Sequence, residues 1–232
     1  MPTLLAIDAS TEACSAALYR DGEVEARWEH APRRHNQRLL AMLADLLPDG
    51  PRGVDAVAWA CGPGSFTGLR IAASAVQGIC FALDCPALPV STLAGQVQTA
   101  LRQGLLVEGE SVFSCLDAQI NELYWASYRV QQGMAVPLTE AAVCRPEALQ
   151  VPGDVPPVAI GSGLVYLERL PAAVQARFAS RHAELLPDAR DLLPLALADW
   201  EAGRLQAAEA VCPVYVRDEI GWKKLSEQGP AA

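Results

Sequence analysis

The chain has 232 residues, 51% of them hydrophobic and 19% charged, with a net charge of −9. That length and composition describe a folded protein with one large domain or two smaller lobes, and they exclude a disordered chain. The acidic balance argues against a protein that grips nucleic acid unaided, because phosphate backbones are held mainly by clustered Lys and Arg.

In chain order, residues 3–7 read as a first strand ending at Asp8-Ala9-Ser10-Thr11, and residues 14–19 as a second. Asp21-Gly22 is a hairpin signal leading into residues 23–30, where Val24, Ala26 and Trp28 alternate with polar neighbours as on a half-buried strand. A helix over 36–47 is stopped by Pro48-Asp49-Gly50. An apolar strand over 56–60 then meets Gly62-Pro63-Gly64-Ser65-Phe66-Thr67-Gly68-Leu69-Arg70, followed by a helix to residue 83. A short strand over 88–90 and a helix capped by Ser91 or Thr92 complete the first lobe, residues 1–104.

The second lobe, 105–232, begins with strands over 111–116 and 123–130 around Asp117-Ala118-Gln119-Ile120-Asn121-Glu122. A strand over 158–160 leads to Gly161-Ser162-Gly163, and helices are expected over 165–170 and 191–202, with the terminal helix free to pack back on the first lobe. No internal repeat is visible.

The glycine string suits a tight strand-to-helix turn, which either packs backbone closely or aims helix N–H groups at an anion. The two uses are about equally consistent with the spacing.

Helix geometry suggests a binding surface. On 36–47, the residues Leu39, Leu40, Met42, Leu43, Leu46 and Leu47 span roughly 160°, wider than the ~100° stripe that covers a sheet. From 71 to 83 only Ser74 and Gln77 are polar; Ile71, Ala72, Ser74, Ala75, Gly78 and Ala82 offer small or apolar surface beside the bulky Val76, Ile79 and Leu83. Leaving six such large side chains in water forgoes about 10–15 kcal/mol at roughly 1.5–3 each. The pair is therefore expected to dock against two helices of a partner.

The seven cysteines, Cys14, Cys61, Cys80, Cys85, Cys115, Cys144 and Cys212, are scattered without a CxxC, as reduced thiols are. Basic residues gather at Arg33-Arg34-His35 with Arg38, and at Arg217 with Lys223-Lys224; a solvated helix start and a polar tail account for both. The N-terminus reads as a strand with no basic leader, and no uninterrupted apolar run reaches the roughly 18–20 residues that cross a bilayer. A cytoplasmic protein without a membrane partner is expected.

The order β-β-β-α-β-α-β resembles one lobe of the actin-like ATPase (ASKHA) fold, whose first hairpin carries a phosphate-facing Asp-x-Ser/Thr turn. The expected class is thus α/β, two-lobed and actin-like, with a reduced second lobe. Ile7-Asp8-Ala9-Ser10-Thr11-Glu12-Ala13-Cys14-Ser15, His35-Asn36-Gln37-Arg38-Leu39-Leu40, the Gly62–Arg70 string, and Leu116-Asp117-Ala118 with Glu122-Leu123-Tyr124-Trp125 together resemble the TsaB (YeaZ) family. The resemblance implies a non-catalytic paralogue of the transferase TsaD, required for threonylcarbamoylation of the adenosine beside the anticodon in ANN-decoding tRNAs. It implies pairing with a TsaD-like transferase through the first lobe, a TsaE-like ATPase as third member, and a homodimer when the transferase is missing.

No catalytic residue is assigned. TsaD-type enzymes hold metal with an HxxxH pair, whereas His30 and His35 are five apart and His182 is remote, so no metal is expected. Asp8, Ser10, Thr11, Gly62 and Gly64 are a weak nucleotide candidate. ATP or ADP is expected, if at all, in the complex, with none required by this chain alone. Two other readings remain: a self-sufficient actin-like ATPase or kinase, and last a peptidase, for which no Ser-His-Asp spacing is present.

Overall fold

The computed structural model describes residues 1–153 and 155–216. The first sheet contains β1 (Leu4–Asp8), β2 (Ala13–Arg20), β3 (Glu23–His30), β4 (Ala56–Gly62) and β5 (Ala87–Ser91), in the order β3-β2-β1-β4-β5. Strands β1, β2 and β3 form antiparallel hairpins, while β4 and β5 run parallel to β1. Two helices, α1 (His35–Leu46) and α2 (Phe66–Leu83), bracket β4 in sequence, and α3 (Thr92–Arg102) leaves the sheet after β5.

Both faces of this sheet are covered, which is why β1 and β4 are apolar at consecutive positions. Leu5, Ile7, Val57 and Trp59 face Leu39, Met42 and Leu46 of α1 and Ala72, Val76 and Cys80 of α2. Leu4, Ala6, Ala56 and Ala58 face the other way, against Leu192 and, on α5 (Leu193–Glu201), Leu193 and Ala196. The chain thus returns to the first lobe after completing the second. It continues along the same lobe: Gln206 pairs with Ala87, and the Val214 N–H donates to the Cys61 carbonyl at 2.8 Å.

The second sheet contains β6 (Ser111–Asp117), β7 (Leu123–Gln131), β8 (Met134–Pro137), β10 (Val158–Ile160) and β11 (Ser180–His182), with β9 (Ala142–Cys144) paired to β7. Read from β8, its order is β8-β7-β6-β10-β11, with two antiparallel and two parallel neighbours. That is the order and sense of the first sheet, so the lobes are topological duplicates. The helices are what the second lobe has lost. In place of the helix expected over 165–170 stands a 3-10 segment, Ser162–Arg169, followed by the single turn α4 (Ala172–Gln175).

Helix α3 lies between the lobes, with Leu93, Val97 and Ala100 against Val112, Tyr128 and Ile160. Residues 92–100 are all buried although several are polar. Their hydrogen bonds explain this: Gln96 donates to the Leu185 carbonyl at 2.9 Å and accepts from Ser114 Oγ at 2.7 Å, and Gln98 accepts from the Ala135 N–H at 2.8 Å. At its C-terminal end Arg102 donates to both oxygens of Asp191, at 2.7 and 2.9 Å. Burying polar groups is tolerable when they are satisfied in this way; the Thr92 hydroxyl is the exception, buried without a partner.

Helix α2 is the reverse case. By length and composition it is apolar enough to cross a membrane, because Ser74 and Gln77 dilute its apolar run only slightly, yet only a third of it is buried. One side lies on β4, one edge is covered by the segment at Ala208–Val211, where Gln77 donates to the Ala208 carbonyl at 3.2 Å, and the outward side is bare.

Candidate functional site

The bare side of α2 runs through Ser74, Gly78, Phe81 and Ala82, all exposed, with Ile71, Ala75 and Ile79 half-buried along its edges. A Cβ added at Gly78 would meet nothing within 4 Å. Beside it, α1 exposes Leu40, at 67%, and Ala41 and Ala44, with Leu43 half-buried. The two helices lie on one face of one sheet, so their outward sides form a continuous shelf of small and apolar residues.

This narrows the set inferred from the helical pattern. Leu39, Met42, Leu46 and Leu47 belong to the lobe's own core, as do Ala72 and Val76 of α2. Packing both on the sheet and towards α2 accounts for much of the wide apolar arc on α1. Of the residues inferred, Leu40, Leu43, Ile71, Ser74, Ala75, Gly78, Ile79 and Ala82 remain on the accessible side. Phe81, 55% exposed, was missed. Its position three residues after Gly78 and seven after Ser74 places it on the same helical face, a signal the sequence carried.

The glycine turn is filled from within. The Ser65 N–H donates to the Ser10 carbonyl at 2.7 Å, and the Ser65 hydroxyl accepts from the Gly68 N–H at 3.3 Å, capping α2. A Cβ on Gly64 would collide with the Ser10 carbonyl oxygen, and one on Gly68 with that of Ala9. A Cβ on Gly62, whose φ is +128, would collide with the Val214 carbonyl oxygen. The structure therefore brings together Asp8, Ser10, Gly62 and Gly64, but spends their backbone on one another. Thr11 accepts from the Ala13 N–H at 3.2 Å, a turn bond.

Asp8 is 1% exposed. One carboxylate oxygen accepts from the Ser10 N–H at 2.8 Å and the Ser10 hydroxyl at 2.6 Å, while the other is buried without a partner. Burial drives its pKa up to about 6, opposed by the two Ser10 hydrogen bonds and reinforced by the charge of Asp188. The second lobe repeats the device. Asp117, at the end of β6, accepts from the Gln119 N–H at 2.8 Å, and Gly161 and Gly163 after β10 press on Cys115 as Gly64 presses on Ser10.

The histidines have separate surroundings. His30 meets Glu12 at 3.2 Å on the surface, while the His35 ring is buried within 3.3 Å of the Ala13 carbonyl oxygen. Among the described residues no group of three or more His, Cys, Asp or Glu is placed to hold a metal ion. Burial raises the thiols of Cys14, Cys61 and Cys80 to about 12. Glu29 bridges Arg34 and Arg38 at 2.9 and 2.6 Å, so the first basic cluster is largely answered by its own strand. The second, at Arg217, Lys223 and Lys224, lies outside the described residues.

Comparison with known proteins agrees with this architecture. Residues 28–185 match the family described as TsaD: tRNA N6-adenosine threonylcarbamoyltransferase. The chain is 38% identical to the tRNA threonylcarbamoyladenosine biosynthesis protein TsaB of Escherichia coli K12, aligning 96% of this chain with 97% of that protein. It is 34% identical to the TsaB of Haemophilus influenzae, with 96% and 97% covered. The solved structure of YeaZ from Pseudomonas aeruginosa superposes with a TM-score of 0.84 at 45% identity, covering 93% of this chain and all of that one.

Proposed function

The chain belongs to the TsaB family, and from that premise we propose that it serves as the non-catalytic, partner-binding subunit in tRNA threonylcarbamoyladenosine synthesis. It takes part in a tRNA-modifying complex with a TsaD-like transferase. The observation that carries the binding role is the half-bare helix α2, whose outward side is small and apolar from Ser74 to Ala82 while its inward side already satisfies the sheet. A shelf with Gly78 at its middle lets a partner helix approach closely, and two helices from each side make a four-helix contact.

The same shelf can join two copies of this chain, so homodimer and heterodimer compete for one surface. A TsaE-like ATPase is assigned to the complex as a third member. ATP or ADP is assigned to the assembly and not to the glycine turn, which Ala9 and Ser10 occupy with their own carbonyls. The place of action is the cytoplasm, with tRNA as the substrate of the complex.

Co-elution with the purified transferase tests this reading. Gly78→Arg and Leu40→Asp should each leave a folded protein and abolish co-elution. Unchanged complex formation by both variants contradicts it.

A further inference from the structure

Small and aliphatic side chains pack in more than one alignment, whereas a charged pair across an interface fixes register and discriminates between partners. The shelf of α1 and α2 has such a charge at its edge. Arg70, Ser74, Gly78 and Phe81 are spaced four, four and three apart and all are exposed. Arg70 therefore lies on the shelf's side of α2, one turn ahead of Ser74.

Helix stability does not account for this residue. Arg70 is the fifth residue of α2, near the positive end of the helix dipole, where a cation is unfavourable, and the first turn has no acidic residue to offset it. The side chain is nonetheless held in place. Its guanidinium lies 3.5 Å from the centre of the Phe66 ring, and its Nε donates to the Tyr215 hydroxyl at 3.1 Å. The two rings are themselves 5.7 Å apart, and both are about half exposed. Tyr215 is fixed through its neighbour Val214, whose N–H donates to the Cys61 carbonyl. Among the described residues no carboxylate pairs with Arg70, and its two terminal nitrogens have no hydrogen-bond partner. The fork is thus ordered before any partner arrives, so less rotamer entropy remains to be lost on docking. Arginine and tyrosine are also the residue types that dominate interface hot spots.

We infer that Arg70, positioned by Phe66 and Tyr215, pairs with a carboxylate on a helix of the transferase and so selects that partner over a second copy of this chain. The inference rests on the partner-binding reading of the shelf. A second copy brings no free carboxylate on its own two helices: α2 has no Asp or Glu, and the single acidic residue of α1, Asp45, faces Arg27 at 3.9 Å. An Asp or Glu at the edge of a transferase helix answers the charge, because the terminal N–H groups of the fork match both carboxylate oxygens.

Titration of the full chain against the transferase, with self-association followed by sedimentation, tests the inference at about 50 and about 500 mM sodium chloride. Wild-type affinity for the transferase should fall severalfold at the higher salt. Arg70→Gln should bind about tenfold more weakly than wild type in low salt and be nearly independent of salt. Arg70→Lys, which keeps the charge but not the fork, should lose about threefold. Tyr215→Phe, which keeps the ring but not the hydrogen bond, should lose about twofold in wild type and nothing further in the Arg70→Gln background. Leu40→Ala should weaken binding equally at both salts, which separates apolar contact from charge. Self-association of wild type and Arg70→Gln should agree within about twofold. Equal transferase affinity of wild type and Arg70→Gln at both salts overturns the inference and leaves the shelf standing. No binding of the transferase by wild type overturns the partner-binding reading, and this inference with it. Self-association weakened as much as transferase binding would place the carboxylate on a second copy, at the exposed Asp84 beyond the far end of α2, and also overturns the inference.

Discussion

Gly64 lies so close to the carbonyl oxygen of Ser10 that no β-carbon fits between them. The contact fastens the β1–β2 turn to the start of α2, and the Ser65 N–H donates to the same oxygen. Loop and turn thus lock α2 to the sheet, and the glycines serve this packing.

Three glycine-to-alanine changes should separate these roles. Gly64→Ala and Gly68→Ala drive a methyl group into a backbone carbonyl and should each cost about 1–3 kcal/mol. Gly78→Ala points into open space within a helix and should stabilise the isolated chain by about 0.5–1 kcal/mol. Urea denaturation of the three variants gives the signs. The same sign for all three would contradict the packing account.

Charges placed on the two sides of α2 should have different consequences. Val76 is fully buried, so Val76→Asp should lower stability enough to unfold the lobe. Ser74→Glu, on the exposed side, should change the thermal midpoint of the free chain little. It should still weaken transferase binding at least tenfold, about 1.4 kcal/mol. Thermal melting and a binding titration on both variants check this.

Asp8 should leave a mark on the pH dependence of stability. Its folded pKa of about 6 lies above the ordinary value of 3.8, so the folded chain binds the extra proton. Its contribution is fully present below the ordinary value and is lost as pH rises towards about 6, after which it is constant. Each tenfold gain in proton affinity on folding is worth about 1.4 kcal/mol, so the loss is on the order of 2–3 kcal/mol. Asp8→Asn removes the titration. The stability of wild type relative to this variant should fall between pH 4 and 6 and level off above, as read from urea midpoints across that range. A flat difference would show that Asp8 does not titrate there.

The join between the lobes depends on Arg102. Removing it leaves the buried Asp191 without its cation, while Asp188 keeps Arg190 at 2.8 Å. Arg102→Met should cost about 2–3 kcal/mol, below the usual loss for a broken buried pair because the arginine side chain is 40% exposed. Denaturation at pH 7 measures it, and a cost below about 0.5 kcal/mol would remove the pair from the account.

Much of the first lobe was legible because its signals are local. Alternation along β3 and the Asp21-Gly22 turn place their elements within one or two residues, while the glycine string gives the right end of α2 but starts it five residues late, at residue 71 instead of Phe66. The second lobe was harder to read. Strands β8, β9 and β11 have only three or four residues, too few to show a period of two, and the 3-10 segment at Ser162–Arg169 mimics a helix in composition. The burial of α3 could not be foreseen, because Gln96, Gln98 and Thr99 look solvated until the partners that satisfy them are folded beside them. The duplication was not legible: Ile7-Asp8-Ala9 and Leu116-Asp117-Ala118, each closing the first strand of its lobe, are too short a likeness to read as a repeat. For the candidate surface, periodicity found the right helices but could not say which of their apolar sides the sheet would claim.

Hydrogen exchange of the chain, free and bound to its TsaD-like transferase, tests the central claim most directly. Amides in Phe66–Leu83 and His35–Leu46 should gain the largest protection on binding, with the second sheet unchanged. Protection confined to β6, β7 and β10, with both helices unaltered, would contradict the account.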